Sequence, residues 1–509
     1  MQNAKLMVCG TMSSAGKSLL VAGLCRILRQ DGWSVAPFKS QNMALNSYVT
    51  DEGLEMGRAQ ALQAQAAGER PVAAMNPILL KPTGEHASQV ILNGEVAANS
   101  MSAREYFAVK TQYIPLIRRA YDTLAGMHDA VVIEGAGSPA EINLKDNDIV
   151  NMGLARMLDA PVLLVADIDR GGVFAQLYGT VKLLSEEEQE RIVGMVINKF
   201  RGDPTLLEPG ITQIEGLLGI PVVGTVPYIE DLYLPDEDSL SQRFTPKPKK
   251  TADGHDRIRL AVIRYPRISN FTDMDAFDQC ENVEVVFVRS VEELRRACPD
   301  AVILPGSKHT IEDLLWLRRQ GFDAALQTEW SGVPLFGICG GFEMLGMAVT
   351  DPGVEGSRSC EVPGLGLLPV ATVLQEQKLR QQVSGKLPPI EGVFAPLSGL
   401  LVKGYEIHNG LSHLVSDQAE GRWPAITAMG CGRVCGTFYH GLFDETKVRE
   451  VFLSTVAAYH GKVRHVNGQD ALSQSDYLEQ QLDHLADVLR AHLDMERIYR
   501  WLGLQCQGF

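Results

Sequence analysis

Short apolar runs alternate with helical patterns along most of the chain, and this alternation constrains the fold more than any other feature. In the N-terminal half the apolar runs are residues 5–10, 33–39, 128–137, 160–169 and 192–200, and the helical patterns include 17–30, 56–68 and 103–125. Continuous apolar strands between helices are typical of a parallel sheet that is covered on both faces. We therefore predict an α/β fold.

A polar interruption followed by a second series of strands indicates two sheet domains. Residues 235–257 contain few apolar side chains, several prolines and a short basic run, and apolar runs resume at 258–266, 283–290, 300–308 and 333–341. Beyond about residue 450 helical patterns dominate, notably at 475–493. We predict an N-terminal domain at 1–240, a linker at 241–257, a second α/β domain at 258–450 and a helical C-terminal extension at 451–509.

Composition argues against several classes of protein. Lys and Arg total 47 against 62 Asp and Glu, a formal charge of −15, whereas a general nucleic-acid binder needs a cationic surface. No run approaches the roughly 18 apolar residues of a membrane span, and no signal-peptide pattern is evident. The nine cysteines are scattered, mostly among apolar neighbours, which favours free thiols in a reducing compartment. We expect a cytoplasmic protein without a membrane span.

The first apolar run leads directly into a glycine loop and a helix. Residues 10–18 read GTMSSAGKS, and such a loop turns its backbone N–H groups and the helix N-terminus toward phosphate. Five residues separate the two glycines where four are usual, but the strand, the GKS triplet and the helix are retained. The alternative, a glycine turn that binds nothing, would leave a lysine at the helix start without an anion. We predict a nucleotide site formed by Gly10, Thr11, Gly16, Lys17 and Ser18, with the Ser18 hydroxyl available to Mg²⁺.

Two carboxylates follow other strands of the same half. Glu134 follows the apolar residues of the run at 128–137, and Asp167 follows those of the run at 160–169. Open α/β sheets bind ligands at the carboxyl ends of their strands, and Mg²⁺ prefers oxygen ligands beside phosphates. We predict that Ser18, Glu134 and Asp167 are magnesium ligands; solvated or capping carboxylates are the alternative.

Lys39 follows the second strand, together with Gln41 and Asn42, so these side chains are expected to face the same crevice. A lysine there would hold a transferring phosphoryl group, although a surface lysine is an equal alternative from the residues alone. The pair Asn198-Lys199 lacks the Asp two residues later that guanine recognition uses, which favours adenine.

In the C-terminal half, Cys339 lies between an apolar strand and a helix that opens with glycines. Such a turn exposes a nucleophile at the sheet edge, and the helix N-terminus is expected to lower the thiol pKa. The partner base should be a histidine, and spacing alone does not decide between His440 and His408. Backbone N–H groups of Gly306 and Ser307 are predicted to form an oxyanion hole. A buried structural cysteine is the alternative.

Taken together, the motifs GTMSSAGKS, FKSQNMALNS, EGAGSPAEINL, DIDRGG, GICGGFEMLG and FYHGLFD resemble the cobyric acid synthase family, the glutamine-dependent amidotransferases of cobalamin biosynthesis. The resemblance covers roughly residues 5–450, with the motifs in the same order. The N-terminal half is similar to dethiobiotin synthetase, which has the same five-residue variant of the phosphate loop. The C-terminal half resembles class I glutamine amidotransferases.

The resemblance implies a ligase that uses ATP, Mg²⁺ and glutamine, without a tightly bound cofactor. Cys339 would attack the glutamine amide and His440 would move the proton, releasing ammonia. ATP would phosphorylate a carboxylate of a corrinoid, with Lys17 and Lys39 offsetting the charge, and ammonia would displace the phosphate. The implied substrate is adenosylcobyrinic acid a,c-diamide, amidated at its b, d, e and g carboxylates. The resemblance gives no oligomeric state.

One position departs from class I amidotransferases, in which a glutamate stands two residues after the catalytic histidine. Here that residue is Leu442, so the group that orients His440 is left open between Glu406 and Asp444.

Three rival functions remain. The sister enzyme that amidates the a and c carboxylates uses the same two chemistries. A partitioning-type regulatory ATPase would leave Cys339 and His440 without a role, and a bare glutaminase subunit would not need the first 240 residues.

Overall fold

The computed structural model describes residues 3–83, 87–234, 257–355, 359–416, 425–464 and 472–505. The chain divides into two compact units, the first formed by Met1–Thr50, Leu54–Ser239 and Leu478–Phe509, the second by Asp51–Gly53 and Leu240–Tyr477. The predicted linker at 241–257 lies outside the described residues except for Arg257. The domain bounds at 240, 258 and 450 stay predictions.

The first unit is built on a six-stranded parallel sheet, as the alternation of strands and helices predicts. Its strands, in spatial order, are Val222–Pro227, Ile192–Phe200, Val162–Asp167, Ala4–Gly10, Ala130–Glu134 and Val35–Phe38. Alternate residues of the strands enter two separate apolar cores, with Leu6 and Val8 in one and Met7 and Cys9 in the other. Both faces of the sheet are therefore buried, which explains the continuous apolar runs.

The helices of this unit are Lys17–Gln30, Arg58–Ala67, Ala103–Val109, Ile114–Met127, Met152–Leu158, Val173–Lys182, Glu186–Glu190, Glu208–Leu218 and Met495–Leu502, with most of Gln474–His492. The helical pattern predicted over 103–125 is interrupted by a 3₁₀ segment, Lys110–Tyr113. Pro115 in the first turn of the following helix accounts for this, because proline cannot donate to the preceding turn but suits a helix start.

Smaller sheets in the first unit were not predicted from the sequence. One contains Gln41–Met43, Ile78–Pro82, Ala87–Leu92 and Glu95–Ser102, and a two-stranded ribbon joins Ser47–Val49 to Glu55–Gly57. The strand Glu95–Ser102 has no residue in its interior that is fully buried. It therefore shows no apolar run in the sequence.

The second unit contains another six-stranded sheet, in the order Val283–Val288, Ile258–Ile263, Ala301–Leu304, Leu335–Ile338, Val434–Thr437 and Ala428–Cys431. Only the last pair is antiparallel. A four-stranded sheet of Cys360–Pro363, Ala348–Asp351, Val370–Lys386 and Leu401–Leu414 and a short pair, Ile268–Ser269 with Gly306–Ser307, complete its strands. Its helices are Val291–Ala297, Thr310–Arg319, Phe322–Gln327, Gly340–Leu345 and Thr446–Tyr459.

The predicted helix at 475–493 is present as Gln474–His492 and packs on the helix Lys17–Gln30. Leu489 approaches Gly23 so closely that a Cβ at residue 23 would lie 2.2 Å from it. Arg26 forms ion pairs of 2.7 Å with both Glu479 and Asp483. None of the helices in the described ranges is long and apolar enough to cross a membrane.

Candidate active sites

The phosphate loop connects strand Ala4–Gly10 to helix Lys17–Gln30. Gly16 has φ +101°, and a Cβ there would lie 2.0 Å from the Asn198 amide nitrogen, which donates to the Ala15 carbonyl at 2.9 Å. Only glycine fits this position. Lys17 is 2% exposed, and its Nζ donates to the carbonyls of Met12 (3.1 Å) and Gly137 (3.2 Å). The loop is therefore held in place by its own lysine.

The other two predicted loop residues are structurally engaged. A Cβ at Gly10 would lie 3.1 Å from the Lys17 side chain. Thr11 donates its N–H to the Val165 carbonyl at 2.9 Å and its hydroxyl to Gln176 at 3.0 Å. These contacts fix the start of the loop against the neighbouring strand.

Glu134 brings together Ser18 and Lys39, which the sequence predicts from separate segments, and Gln63, which it does not. The carboxylate is completely buried and accepts from Lys39 Nζ and Ser18 Oγ, each at 2.8 Å, and from Gln63 Nε2 at 2.5 Å. Burial alone would raise the pKa of Glu134, but the charge of Lys39 and these hydrogen bonds lower it overall. Glu134 is therefore an anion beside the phosphate loop.

Asp167 lies apart from this group. Its carboxylate accepts from Lys199 Nζ at 2.9 Å and from the Asp169 N–H at 2.9 Å. Lys199 also donates to the Ser14 carbonyl at 2.6 Å, so it connects Asp167 to the phosphate loop. Over the described ranges, no hydrogen bond joins Asp167 to Ser18 or Glu134.

Ser18 and Glu134 fit a magnesium ion. Their oxygens are 2.8 Å apart, close to the roughly 2.9 Å between adjacent ligands of an octahedral Mg²⁺ with bonds near 2.1 Å. Among the residues described, no group of three or more His, Cys, Asp or Glu converges as a metal site. Phosphate oxygens and water would have to complete the coordination, as is usual for Mg²⁺. A role for Asp167 as a further ligand stays a prediction.

In the second unit, Cys339 occupies the turn between strand Leu335–Ile338 and helix Gly340–Leu345. Its backbone has φ +51° and ψ −112°, a conformation that non-glycine residues rarely adopt and that recurs at functional sites. Its N–H donates to the Thr437 carbonyl at 2.8 Å. A Cβ at Gly341 would lie 2.0 Å from the Leu304 carbonyl oxygen, so only glycine lets the helix begin this close to the sheet.

The thiol pKa shifts in the direction opposite to the sequence expectation. Burial raises the pKa of Cys339 well above its usual value, Glu343 raises it further, and the hydrogen bond from the Gly340 N–H only partly opposes this. The predicted lowering by the helix N-terminus is wrong because that helix has only six residues and the thiol is buried. A reactive thiolate therefore requires transfer of its proton to a base.

His440 is completely buried and oriented by Asp273. Its Nδ1 lies 2.7 Å from Asp273 Oδ2, and the Gly441 N–H donates to the other oxygen at 2.8 Å. The Asn270 amide lies 3.2 Å from His440 Nε2, and the Tyr405 ring stacks on the imidazole at 5.2 Å between centroids. The carboxylate that contacts His440 is thus neither Glu406 nor Asp444, the two suggested by proximity in sequence.

Asp273 escaped the sequence analysis because it is 167 residues from His440 and belongs to no motif. It lies in the 3₁₀ segment Phe271–Phe277, which follows strand Ile258–Ile263 and the short strand Ile268–Ser269. Polar residues after the first strand of the second sheet were the available signal, since parallel strands present their carboxyl ends at one edge.

The predicted oxyanion loop, Gly306–Ser307, lies close to His440 and to Gly340, the residue that follows Cys339. A Cβ at Gly306 would lie 3.2 Å from His440 Cε1, and one at Gly340 would lie 2.9 Å from the Ser307 nitrogen. The Ser307 hydroxyl donates to Asp313 at 2.6 Å, and the backbone of Gly306–Ser307 pairs with Ile268–Ser269. Their role as an oxyanion hole stays a prediction. His408, the alternative base, instead stacks on Phe438 at 3.9 Å between ring centroids.

Comparison with known proteins gives consistent results for both units. Residues 6–240 match the CobQ/CobB/MinD/ParA nucleotide binding domain, and residues 259–448 match the CobB/CobQ-like glutamine amidotransferase domain. The chain is 50% identical to a cobyric acid synthase of Lachnoclostridium phytofermentans, over 97% of this chain and 98% of that relative. It is 48% identical to that of Ruminiclostridium cellulolyticum (97% and 96% covered) and 45% identical to that of Clostridium tetani (98% and 99%).

Proposed function

The chain belongs to the cobyric acid synthase family, and from this membership we propose that it amidates the b, d, e and g carboxylates of adenosylcobyrinic acid a,c-diamide to give adenosylcobyric acid. It is a glutamine-dependent carbon–nitrogen ligase of cobalamin biosynthesis. The observation that supports an ATP-dependent, glutamine-driven amidation is the presence in one chain of a phosphate loop, a cysteine turn and a histidine held by a carboxylate. The choice of corrinoid and of its carboxylates is supported by the family membership.

The second unit would supply ammonia. Asp273 would hold the Nδ1 proton of His440, which leaves Nε2 as an acceptor that the Asn270 amide approaches to 3.2 Å. Nε2 would take the thiol proton as Cys339 Sγ attacks the side-chain amide carbon of glutamine. The Gly306 and Ser307 N–H groups would stabilise the oxyanion of the tetrahedral intermediate. Collapse to a thioester breaks the C–N bond, with His440 returning the proton to the departing ammonia. Water then hydrolyses the thioester to glutamate.

The first unit would activate the acceptor. A carboxylate is unreactive toward ammonia, so its oxygen first takes the γ-phosphoryl group of ATP, and ammonia then displaces phosphate from the acyl phosphate. Lys17 and Lys39 are the cations that we assign to the phosphoryl group. A magnesium ion held by Ser18, Glu134 and the nucleotide would supply further neutralisation of phosphate charge.

Mass spectrometry of adenosylcobyrinic acid a,c-diamide, incubated with the protein, ATP–Mg²⁺ and glutamine, tests this proposal. We expect four successive carboxyl-to-amide conversions that require both ATP and glutamine. Hydrolysis of glutamine with an unchanged corrinoid would reject the substrate. Amidation of cobyrinic acid at its a and c carboxylates would instead identify the sister reaction.

A further inference from the structure

A mostly apolar cavity of about 330 Å³ lies beside the phosphate loop, within the first unit. Gly137, after strand Ala130–Glu134, lines the cavity, and its carbonyl accepts from Lys17 Nζ at 3.2 Å, so the same residue contacts the cavity and the lysine of the phosphate loop. Met43 and Leu144, at the cavity wall, are 59% and 47% exposed. Apolar cavities with a few convergent polar groups are the usual form of small-molecule sites.

Lys110 is a buried lysine in this wall: burial lowers its pKa, and the nearby charge of Asp148 only partly opposes this without contacting the ammonium. It is only 7% exposed, and over the described ranges its ammonium forms no hydrogen bond and no ion pair. Its nearest aromatic contact is the Phe107 ring, whose centroid is 3.9 Å from Nζ. A buried charge is costly unless it is paired, so such a lysine indicates an anion that is absent from the free protein.

The neighbouring charges of the cavity are already engaged. Lys145 pairs with Glu188 at 2.6 Å. Asp148 accepts three backbone N–H groups, from Val150, Asn151 and Gly153, at 2.8 to 2.9 Å. Glu141 is exposed. An entering carboxylate would therefore meet Lys110 as the available buried cation.

We propose that this cavity receives a carboxyalkyl arm of the acceptor, and that Lys110 binds a carboxylate of the acceptor; the inference rests on the proposed function. The apolar wall suits the alkyl-rich periphery of a corrin ring, and the place beside Gly137 brings the arm next to the phosphate loop. Because a neutral amide forms no ion pair, Lys110 also discriminates the carboxylate substrate from its amidated product.

Equilibrium dialysis with cobyrinic acid a,c-diamide and with its tetra-amidated product tests this assignment. The wild-type protein should bind the carboxylate form more tightly. Lys110→Met should weaken its binding by about 10- to 100-fold while changing product binding little, so the preference disappears. Lys110→Arg should retain most of the preference, and Lys182→Met, at an exposed lysine outside the cavity, should match the wild type. Glutaminase activity should be unchanged in all of these variants.

A second pair of variants does not depend on replacing a buried residue. Met43→Asp places a carboxylate on an exposed position of the cavity wall and should weaken binding of the polycarboxylate more than the neutral Met43→Asn does. Unchanged preference in Lys110→Met, or equal binding by the two Met43 variants, would overturn the role of this cavity. Failure of the wild-type protein to bind or amidate any corrinoid would instead reject the proposed function itself.

Discussion

At the scale of single residues, the proposed activation of the Cys339 thiol depends on the contact between Asp273 and His440. Burial raises the pKa of Cys339, so the thiol does not ionise by itself at neutral pH. In the proposed mechanism His440 presents an unprotonated Nε2 to the thiol, and Asp273, 2.7 Å from Nδ1, would fix that tautomer. The Cys339 turn was recognisable from local sequence, whereas Asp273 was not, because only the folded sheet brings residue 273 to residue 440.

Asp273→Asn should lower the glutaminase kcat by about two to four orders of magnitude, because an amide can donate to Nδ1 and favour the wrong tautomer. The KM for glutamine and the amidation driven by added ammonium salt should change little. Steady-state assays of both activities check this. Glu406→Gln is the control variant, because Glu406 is not the carboxylate that contacts His440. An equal loss of kcat in both variants would contradict the assignment of Asp273 as the residue that orients His440.

Glu343 gives the stability of the second unit a pH dependence of defined sign. Burial raises the pKa of Glu343 to about 8, partly opposed by a hydrogen bond from Thr310. Between pH 4.5 and about pH 8 the Glu343 carboxyl is protonated in the folded protein but ionised in the unfolded chain. The free energy of unfolding therefore falls as pH rises through that window, because unfolding releases the proton.

Glu343→Gln lacks this titration. Between pH 5 and pH 8 its free energy of unfolding should therefore rise relative to that of the wild type, by at most about 1.4 kcal/mol per pH unit. Denaturant unfolding of both proteins at several pH values measures the difference. A difference that does not vary with pH would show that Glu343 is ionised in the folded protein.

At the scale of elements, strand burial explains which strands the sequence revealed. The central parallel strands are apolar apart from Lys5 and the terminal Asp167, because both of their faces are covered. The first five residues of strand Val370–Lys386 are buried, except Val373, which is partly buried. The rest of the strand is mostly exposed. Its sequence, VATVLQEQKLRQQVSGK, therefore carries no sustained period, and the sheet that it forms with Leu401–Leu414 was not predicted.

The C-terminal helix Gln474–His492 was predicted as an element, but its role was not. Leu489 is 2% exposed and packs on the helix that begins at Lys17, so it supports the phosphate loop from behind. Leu489→Ala should lower the free energy of unfolding by about 2–4 kcal/mol and raise the KM for ATP more than that for glutamine. Denaturant unfolding and steady-state kinetics measure both effects.

Leu206→Ala removes the same atoms from a side chain that is 82% exposed, so it should leave stability within about 0.5 kcal/mol of the wild type. If Leu489→Ala behaved like this control, the packing of the C-terminal helix on Gly23 would contribute nothing to the first unit.

At the scale of the whole molecule, two compact units carry two chemistries, one that consumes ATP and one that releases ammonia. The net charge of −15 would oppose the approach of the proposed polycarboxylate substrate, so we expect its recognition to come from local cations such as Lys110. Motif order was enough to predict this division, because each reaction uses a short local loop. The cavity around Lys110 was not predictable, since its lining comes from segments that the sequence separates.

The most direct test of the division into two sites is the activity of Cys339→Ser with two nitrogen sources. Corrinoid amidation with glutamine should be abolished, because serine is a far weaker nucleophile at this buried turn. Amidation with added ammonium salt should persist at the wild-type rate, because the phosphate loop is untouched. Loss of both activities in a variant that still folds and binds ATP would contradict the account.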